Sequence, residues 1–328
     1  MRAMVMAAGL GTRLRPLTYE VPKPLVPVAN RPIMEHVLRL LAQHGLGEVI
    51  ANLHWFPDTV RERFGDGSAS GVELTYRFEP ELLGTAGGVR NVRDFFGSEP
   101  FLVMAADPLT DVDLADLAQA HRSHGGIATL AVKRVSNVGE YGVVISGSDG
   151  RVQGFQEKPD PAEALSDLAS CMIYVLDPEV FDYFPDAPAV DFALDVFPAL
   201  LEHDVPFHVH ETDAYWNDVG SIREYLQGNL DALAGVVAVD AAGERLEGGG
   251  EEDPVRTDAG WELSGVALVG DGAEIAEAVR LDGPLVVGPG ARIGGGAQVR
   301  ESVLLPGAEV PAEAMLVGGI AGRRGLLA

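Results

Sequence analysis

From Trp261 onward the chain repeats itself in steps of about six residues. Val269-Gly270-Asp271-Gly272-Ala273 is followed by Val287-Gly288-Pro289-Gly290-Ala291, then Ile293-Gly294-Gly295-Gly296-Ala297, then Leu304-Leu305-Pro306-Gly307-Ala308. An aliphatic residue that returns each hexad, set off by Gly or Ala, is the pattern of a parallel β-helix. Each turn stacks its aliphatic side chain on the turn below, and the small residues permit tight corners. The rhythm is imperfect around residues 275–283. Residues 261–328 are expected to form such a left-handed β-helix of hexapeptide repeats.

The first 233 residues follow another rule. Short β-rich runs at 3–7, 48–52, 73–78, 101–105, 127–133, 169–176 and 207–211 alternate with helix-period segments. One helix is expected from Ile33, with Ile33, Val37, Leu40 and Leu41 on one face and Gly45 as its stop; another runs from Leu114 to His121. Strand–helix alternation of this kind predicts an α/β fold, a Rossmann-like mixed and mostly parallel sheet with helices on both faces. Between the two patterns, residues 234–260 read as a linker, with the Gly-rich, acidic run from Gly248 to Pro254 as an exposed loop.

A formal charge of −25 argues against nucleic acid as a partner, because a phosphate backbone needs a basic surface. An acidic chain can still bind a phosphorylated metabolite if it gathers cations in one place. Only three of the basic residues are lysines, Lys23, Lys133 and Lys158. An ammonium is a compact point charge that a guanidinium does not replace. The single cysteine, Cys171, excludes an intrachain disulfide and suits a reducing, cytoplasmic setting. No apolar run approaches the length of a membrane span, and the apolar stretch at 4–10 is too short for a signal peptide.

The chemistry points to residues 8–23. Ala8-Gly9-Leu10-Gly11-Thr12-Arg13-Leu14-Arg15-Pro16-Leu17-Thr18 directly follows the first strand, where a glycine-rich turn offers backbone N–H groups to a phosphate chain. Arg13 adds a fork of donors. Lys23 follows within Pro22-Lys23-Pro24, stiffened on both sides. A dinucleotide fingerprint would need a third glycine where Leu14 stands, and a Walker loop would need Gly-Lys-Ser/Thr, which is absent.

The joint pattern resembles the nucleoside-diphosphate-sugar pyrophosphorylases, the sugar-1-phosphate nucleotidyltransferase family, over nearly the whole chain. The branch it most resembles is the bacterial mannose-1-phosphate guanylyltransferase-like one, which often appends a left-handed β-helix. The resemblance implies transfer of a nucleoside monophosphate from a nucleoside triphosphate to a sugar 1-phosphate with release of pyrophosphate. GTP and mannose 1-phosphate are the expected pair, with UDP-, dTDP- and ADP-sugars as alternatives. It implies that Ala8, Gly9, Gly11, Thr12, Arg13 and Lys23 bind the nucleotide. Residues 79–88 look like the nucleobase loop, with Glu79, Gly84 and Thr85 as nucleotide-binding residues; its glycines would close over a flat base, and Glu79 or Glu81 could accept from guanine. Asp107, ending an apolar strand, and Asp218, in Tyr215-Trp216-Asn217-Asp218-Val219-Gly220, are the implied Mg²⁺ ligands. Gly142, Glu157, Lys158 and Ser170 are implied at the sugar phosphate. Arg13, Lys23, Asp107, Lys158 and Asp218 are the expected catalytic set, and Lys133, which matches no family position, is expected on a strand surface.

Two departures stand out. Ala106 occupies a position where the family commonly has Gly, and Met172 replaces a glycine that lets the sugar approach. They motivate an alternative of another class, a catalytically weak regulatory protein that senses nucleotide sugars. An acyltransferase role for the β-helix is disfavoured, since all eight histidines lie at or before His210. A homo-oligomer is compatible with the sequence.

Overall fold

The computed structural model describes residues 1–19, 21–250, 252–323 and 325–327. The chain divides into two compact units. Residues 1–10, 37–107 and 112–216 make the first, and 11–36, 108–111 and 217–328 the second.

The first unit is built on a nine-stranded sheet. Its strands are β1 (Ala3–Met6), β2 (Glu48–Leu53), β3 (Glu73–Phe78), β4 (Phe101–Ala105), β5 (Ala128–Arg134), β6 (Gly142–Ser146), β7 (Val152–Glu157), β8 (Leu168–Leu176) and β9 (His208–Glu211). The order is β7-β6-β8-β4-β1-β2-β3, with β5 pairing with both β8 and β9. β4, β1, β2 and β3 form a parallel run. β8 runs against β4, β5 and β6, and β7 runs against β6, so every strand except β7 and β8 points one way. The sheet is therefore mixed and mostly parallel, as the alternation predicts. β3 and β4 begin and end where the apolar patterning places them, and the expected helix at Ile33 spans Ile33–Gln43 with Gly45 in the left-handed region at φ 73. The helix at Leu114 runs on to His124, its N-terminus capped by Asp113, whose carboxylate accepts from the N–H groups of Ala115 and Asp116. Phe96, Phe101 and Phe181 stack in the core, with centroids 3.9 and 5.6 Å apart along the column.

In the second unit the hexads do form a parallel β-helix. Leu263, Leu281, Val299 and Leu316 lie in register on successive coils, and all four are buried. Each such burial contributes on the order of 2 kcal/mol. The corners hold the small residues for a steric reason: a Cβ on Gly288 would lie 2.6 Å from the carbonyl oxygen of Leu304 on the next coil. Where the rhythm is imperfect the coil persists, because Arg280–Asp282 pairs with Glu262–Ser264 and with Gln298–Arg300. The segment read as a linker contributes Glu244–Glu247, an antiparallel partner of Val266–Val269, and Val255–Arg256, which pairs with Glu262 and Leu263. Of its Gly-rich run, Glu251 lies outside the described residues. No helix among the described residues is long and apolar enough to cross a membrane.

Candidate active site

Parallel strands deliver their carboxyl ends to one edge of a sheet, the usual binding edge of open α/β folds. In the first unit β1, β2, β3 and β4 do this, and a buried polar chain ties their ends together. Ala7 N donates to Asn52 Oδ1 at 2.8 Å, and Asn52 Nδ2 donates to Glu79 Oε1 at 2.8 Å. Leu83 N lies 3.5 Å from Glu79 Oε2, and His54 Nδ1 donates to the Glu79 carbonyl at 2.8 Å. Asn52 and Glu79 are buried. Burial pushes the Glu79 carboxyl pKa up, against the pull of its donors. The start of the glycine turn is thus held by a side chain of the neighbouring strand β2. At Gly9 a Cβ would meet no protein atom within 4 Å, so the backbone of this exposed residue is approachable from outside, whereas Ala8 before it is buried. Asp107 follows β4 directly and is half-buried; Ala106 before it is buried, its N–H on the Met6 carbonyl at 3.1 Å.

Residues 79–88 are closely packed within the unit. Gly84–Arg90 is a helix whose glycines at 84 and 88 lie tight against other protein atoms. Gly84 has φ 78, and a Cβ there would run into the Val190 carbonyl; one on Gly88 would lie 2.6 Å from Asn52 Nδ2 and 2.9 Å from Glu79 Oε1. The Thr85 hydroxyl donates to Asp191 Oδ2 at 2.8 Å and accepts from Phe192 N at 3.0 Å. Glu79 likewise turns inward, because its carboxylate answers the buried Asn52 amide. Glu81, by contrast, is exposed.

Elsewhere in the same unit, β6 and β7 form an antiparallel hairpin, with Gly142 opposite Glu157. A Cβ on Gly142 would lie 2.9 Å from Glu157 Oε2, so the glycine makes room for the carboxylate. Lys158 adopts φ 45, its N–H on the Tyr141 carbonyl at 3.1 Å and its ammonium 3.9 Å from Glu157 Oε1. On β8 the pairing with β5 shifts between Ser170 and Tyr174. Ser170 Oγ lies 3.2 Å from the Tyr174 hydroxyl, and Met172 sits at φ 56. That backbone region disfavours any side chain, which explains why glycine suits the position. Cys171 is buried, its thiol pKa pushed up to about 12, and its carbonyl accepts from Trp216 Nε1 at 3.2 Å.

Lys133 is not a loose surface residue. Its ammonium donates to the carbonyls of Asp213 and Ala214, at 3.1 and 2.5 Å, and so tethers the chain just before Trp216. Nothing in the local pattern announces this, because the partners lie 80 and 81 residues away.

In the second unit Gly11, Thr12, Arg13 and Lys23 gather with Asp218. Gly11, at φ 62, opens the turn Thr12–Leu14; a Cβ there would lie 2.9 Å from Lys23 Cβ, and the Thr18 hydroxyl donates to the Gly11 carbonyl at 2.7 Å. Lys23 is buried and donates to the Asp218 carbonyl at 3.1 Å. Arg13 lies 3.5 Å from Asp218 Oδ2, a long pair with the guanidinium 60% exposed, so either partner can exchange it for a ligand at little expense. Val219 is held at φ 44, and Gly220 N donates to Asp218 Oδ1 at 3.2 Å and to Glu224 Oε2 at 3.1 Å. Gly220 is needed because a Cβ there would lie 2.5 Å from Arg13 Nη1 and 2.6 Å from Asp218 Oδ2.

Asp107 in the first unit and Asp218 in the second each offer a carboxylate, the donor type a hard divalent cation takes. They are partly accessible carboxylates, and Mg²⁺ keeps waters or phosphate oxygens in the rest of its shell. Among the described residues no group of three His, Cys, Asp or Glu forms an all-protein cage.

Residues 2–235 match the Nucleotidyl transferase family. The chain is 35% identical over 289 residues to the mannose-1-phosphate guanylyltransferase of Mycobacterium tuberculosis, an alignment covering 87% of this chain and 79% of that protein. It is also 35% identical over 309 residues to the UTP–glucose-1-phosphate uridylyltransferase of Synechocystis sp., covering 88% and 79%. Among solved structures, one described as a glucose-1-phosphate thymidylyltransferase of Bacillus anthracis superposes with a TM-score of 0.65 at 25% identity, covering 73% of this chain and 97% of that one.

Proposed function

The chain belongs to the Nucleotidyl transferase family and is a sugar-1-phosphate nucleotidyltransferase, and from that premise we propose that it makes GDP-mannose and pyrophosphate from GTP and mannose 1-phosphate. The likeness to the mycobacterial guanylyltransferase over most of both chains carries the choice of substrates. The exposed Glu81 supports it: a carboxylate there can accept from both N1–H and the 2-amino group of guanine, whereas uracil offers one such donor. The likeness to the Synechocystis uridylyltransferase favours UTP and glucose 1-phosphate as a second reading.

In the proposed reaction a sugar-phosphate oxygen displaces pyrophosphate in line at the α-phosphorus. That oxygen is already anionic, so no general base is needed and the work is alignment and charge neutralisation. Ala8, Gly9, Gly11 and Thr12 offer backbone donors to the triphosphate. Arg13 holds the departing pyrophosphate, and Lys23, anchored on the Asp218 loop, faces the α-phosphate region. Glu157, Gly142 and Ser170 orient the sugar, and Lys158 offsets the repulsion between two anionic substrates. Transferases of this family use a divalent metal; Asp107 and Asp218 are the proposed ligands of Mg²⁺, which supplies charge neutralisation at phosphate oxygens when bound. In this reading residues 1–233 are the catalytic domain, 234–260 a connection and 261–328 the β-helix domain, and the enzyme works in the cytoplasm, with a homo-oligomer compatible.

A matrix of nucleoside triphosphates against sugar 1-phosphates, read by pyrophosphate release, tests the assignment. GTP with mannose 1-phosphate should give the highest kcat/KM. A higher value for UTP with glucose 1-phosphate would replace it with the second reading.

A further inference from the structure

We infer that Asn30 and Asn229 are positioning residues for the phosphate-binding loop, and that through them the β-helix sets the geometry around Lys23. The inference rests on residues 11–23 being that loop. All of its contacts lie within the second unit.

The helix Ile222–Ala234 acts as a strut. At its start Ser221 Oγ accepts from Glu224 N at 3.2 Å, and Glu224 in turn accepts from Gly220 N beside Asp218. At mid-length the Tyr225 hydroxyl donates to the Pro27 carbonyl at 2.6 Å. Asn229, fully buried, accepts from Ala29 N at 2.9 Å and donates to the Tyr225 carbonyl at 2.9 Å. At its end Arg245 donates to the Leu233 carbonyl at 2.7 Å, and Arg245 stands on the strand that pairs with the first coil of the β-helix.

What the strut holds is a strained hairpin. Pro27–Val28 pairs with Arg31–Pro32 through Ala29 and Asn30, at φ 48 and 62. Two successive left-handed residues suit a tight hairpin, but alanine disfavours that region, so the turn depends on outside support. Asn30 supplies part of it by donating from Nδ2 to the Val287 carbonyl of a β-helix coil at 3.1 Å. Ala242 N adds a bond to the Ala29 carbonyl at 3.0 Å. Lys23 lies immediately upstream: it starts the turn Lys23–Leu25, Val26 N closes on its carbonyl at 3.0 Å, and Pro27 follows. There is no slack between the hairpin and the lysine. A β-helix that served only as a spacer would need none of these bonds.

The test is nucleotide binding to the full chain with Mg²⁺ and without sugar phosphate, by calorimetry with each of GTP, UTP, ATP and CTP. Asn30→Asp, which tolerates φ 62 but cannot donate to Val287, should weaken the tightest of them by about tenfold, the order expected for one lost positioning hydrogen bond, with the melting temperature nearly unchanged. Asn30→Ala should weaken binding equally and also lower the melting temperature by a few degrees, because alanine is strained at φ 62. Binding equal to wild type in both variants overturns the inference, as does a lowered melting temperature with unaltered affinity, which would mark a purely structural bond. Hydrogen exchange reads the coupling in reverse: saturating nucleotide should slow amide exchange over 285–288 in wild type and much less in Asn30→Ala. No slowing in wild type also overturns it. Pyrophosphate release by the wild type is scored separately. An inactive wild type whose nucleotide affinity depends on Asn30 refutes the proposed reaction alone, and an active enzyme indifferent to Asn30 refutes this inference alone.

Discussion

Gly220→Ala separates the geometry of the Asp218 loop from the stability of the fold. Gly220 does not use the left-handed region, so alanine brings no backbone penalty there. Its Cβ would, however, stand 2.6 Å from Asp218 Oδ2 and 2.5 Å from Arg13 Nη1, where ordinary contact begins at 3.4 Å. Arg13 is long and 60% exposed and can swing away. Asp218 is short, and its carboxylate must move by about 0.8 Å to reach ordinary contact. The lost ion pair is worth under about 1 kcal/mol, since it is long and solvent-facing. The melting temperature should therefore change by no more than about 4 °C. A displacement approaching 1 Å in an alignment-driven reaction can lower turnover by about a hundredfold. The assay is pyrophosphate release at saturating substrates, with a Mg²⁺ titration and a thermal melt on the same preparation. Turnover within twofold of wild type in a folded Gly220→Ala protein would refute the assignment of Asp218 to the reaction.

Asp107→Asn and Lys158→Ala should each cut turnover by orders of magnitude with the melting curve preserved; near-normal turnover of either purified variant counts against its role. At Met172, glycine should be more stable than alanine by about 1 kcal/mol, the reverse of the usual order, because both lose the side chain but only alanine keeps the left-handed strain of φ 56; denaturant midpoints in the opposite order would contradict the bulge geometry. Stability should fall as pH drops below about 6.5. Burial holds the imidazoles of His36, beside Glu35, Arg31 and Asp240, and of His121, beside Asp177, Arg122 and His124, below their usual pKa, so the unfolded chain takes up protons that the native one refuses. Urea midpoints between pH 7.5 and 5.5 check this, with a shallower decline expected for His121→Gln.

The elements that could be read from the chain are those whose cause is local. β3 and β4 show as β-rich runs between turns, the helix from Ile33 as an apolar stripe ended by Gly45, and the β-helix as a hexad. The glycine turn and the two aspartate segments were legible as motifs. What stayed hidden depends on partners far apart in sequence. Asn52 looks like an ordinary strand end until Ala7 and Glu79 are seen on either side of it. Thr85 gives no local sign of Asp191, the partner of its hydroxyl 106 residues on. The inward hydrogen bonds of Glu79 and the tight packing at Gly84 and Gly88 are equally hidden, because a loop motif carries no information about which of its atoms the protein needs for itself. The strand Glu244–Glu247 was hidden among polar residues, since one antiparallel edge on a coil imposes no periodicity.

The scarcity of lysine has a practical consequence for labelling chemistry. Lys23 is buried against the Asp218 carbonyl, and Lys133 is clamped on two carbonyls. Lys158 presents a side chain 52% exposed. An amine-directed reagent used sparingly should therefore reach Met1 and Lys158 before the other two amines. A fluorophore or crosslinker can thus be confined to two known positions without changing a codon, and protection of Lys158 by a sugar phosphate, followed on its own peptide, would give a direct titration of its occupancy.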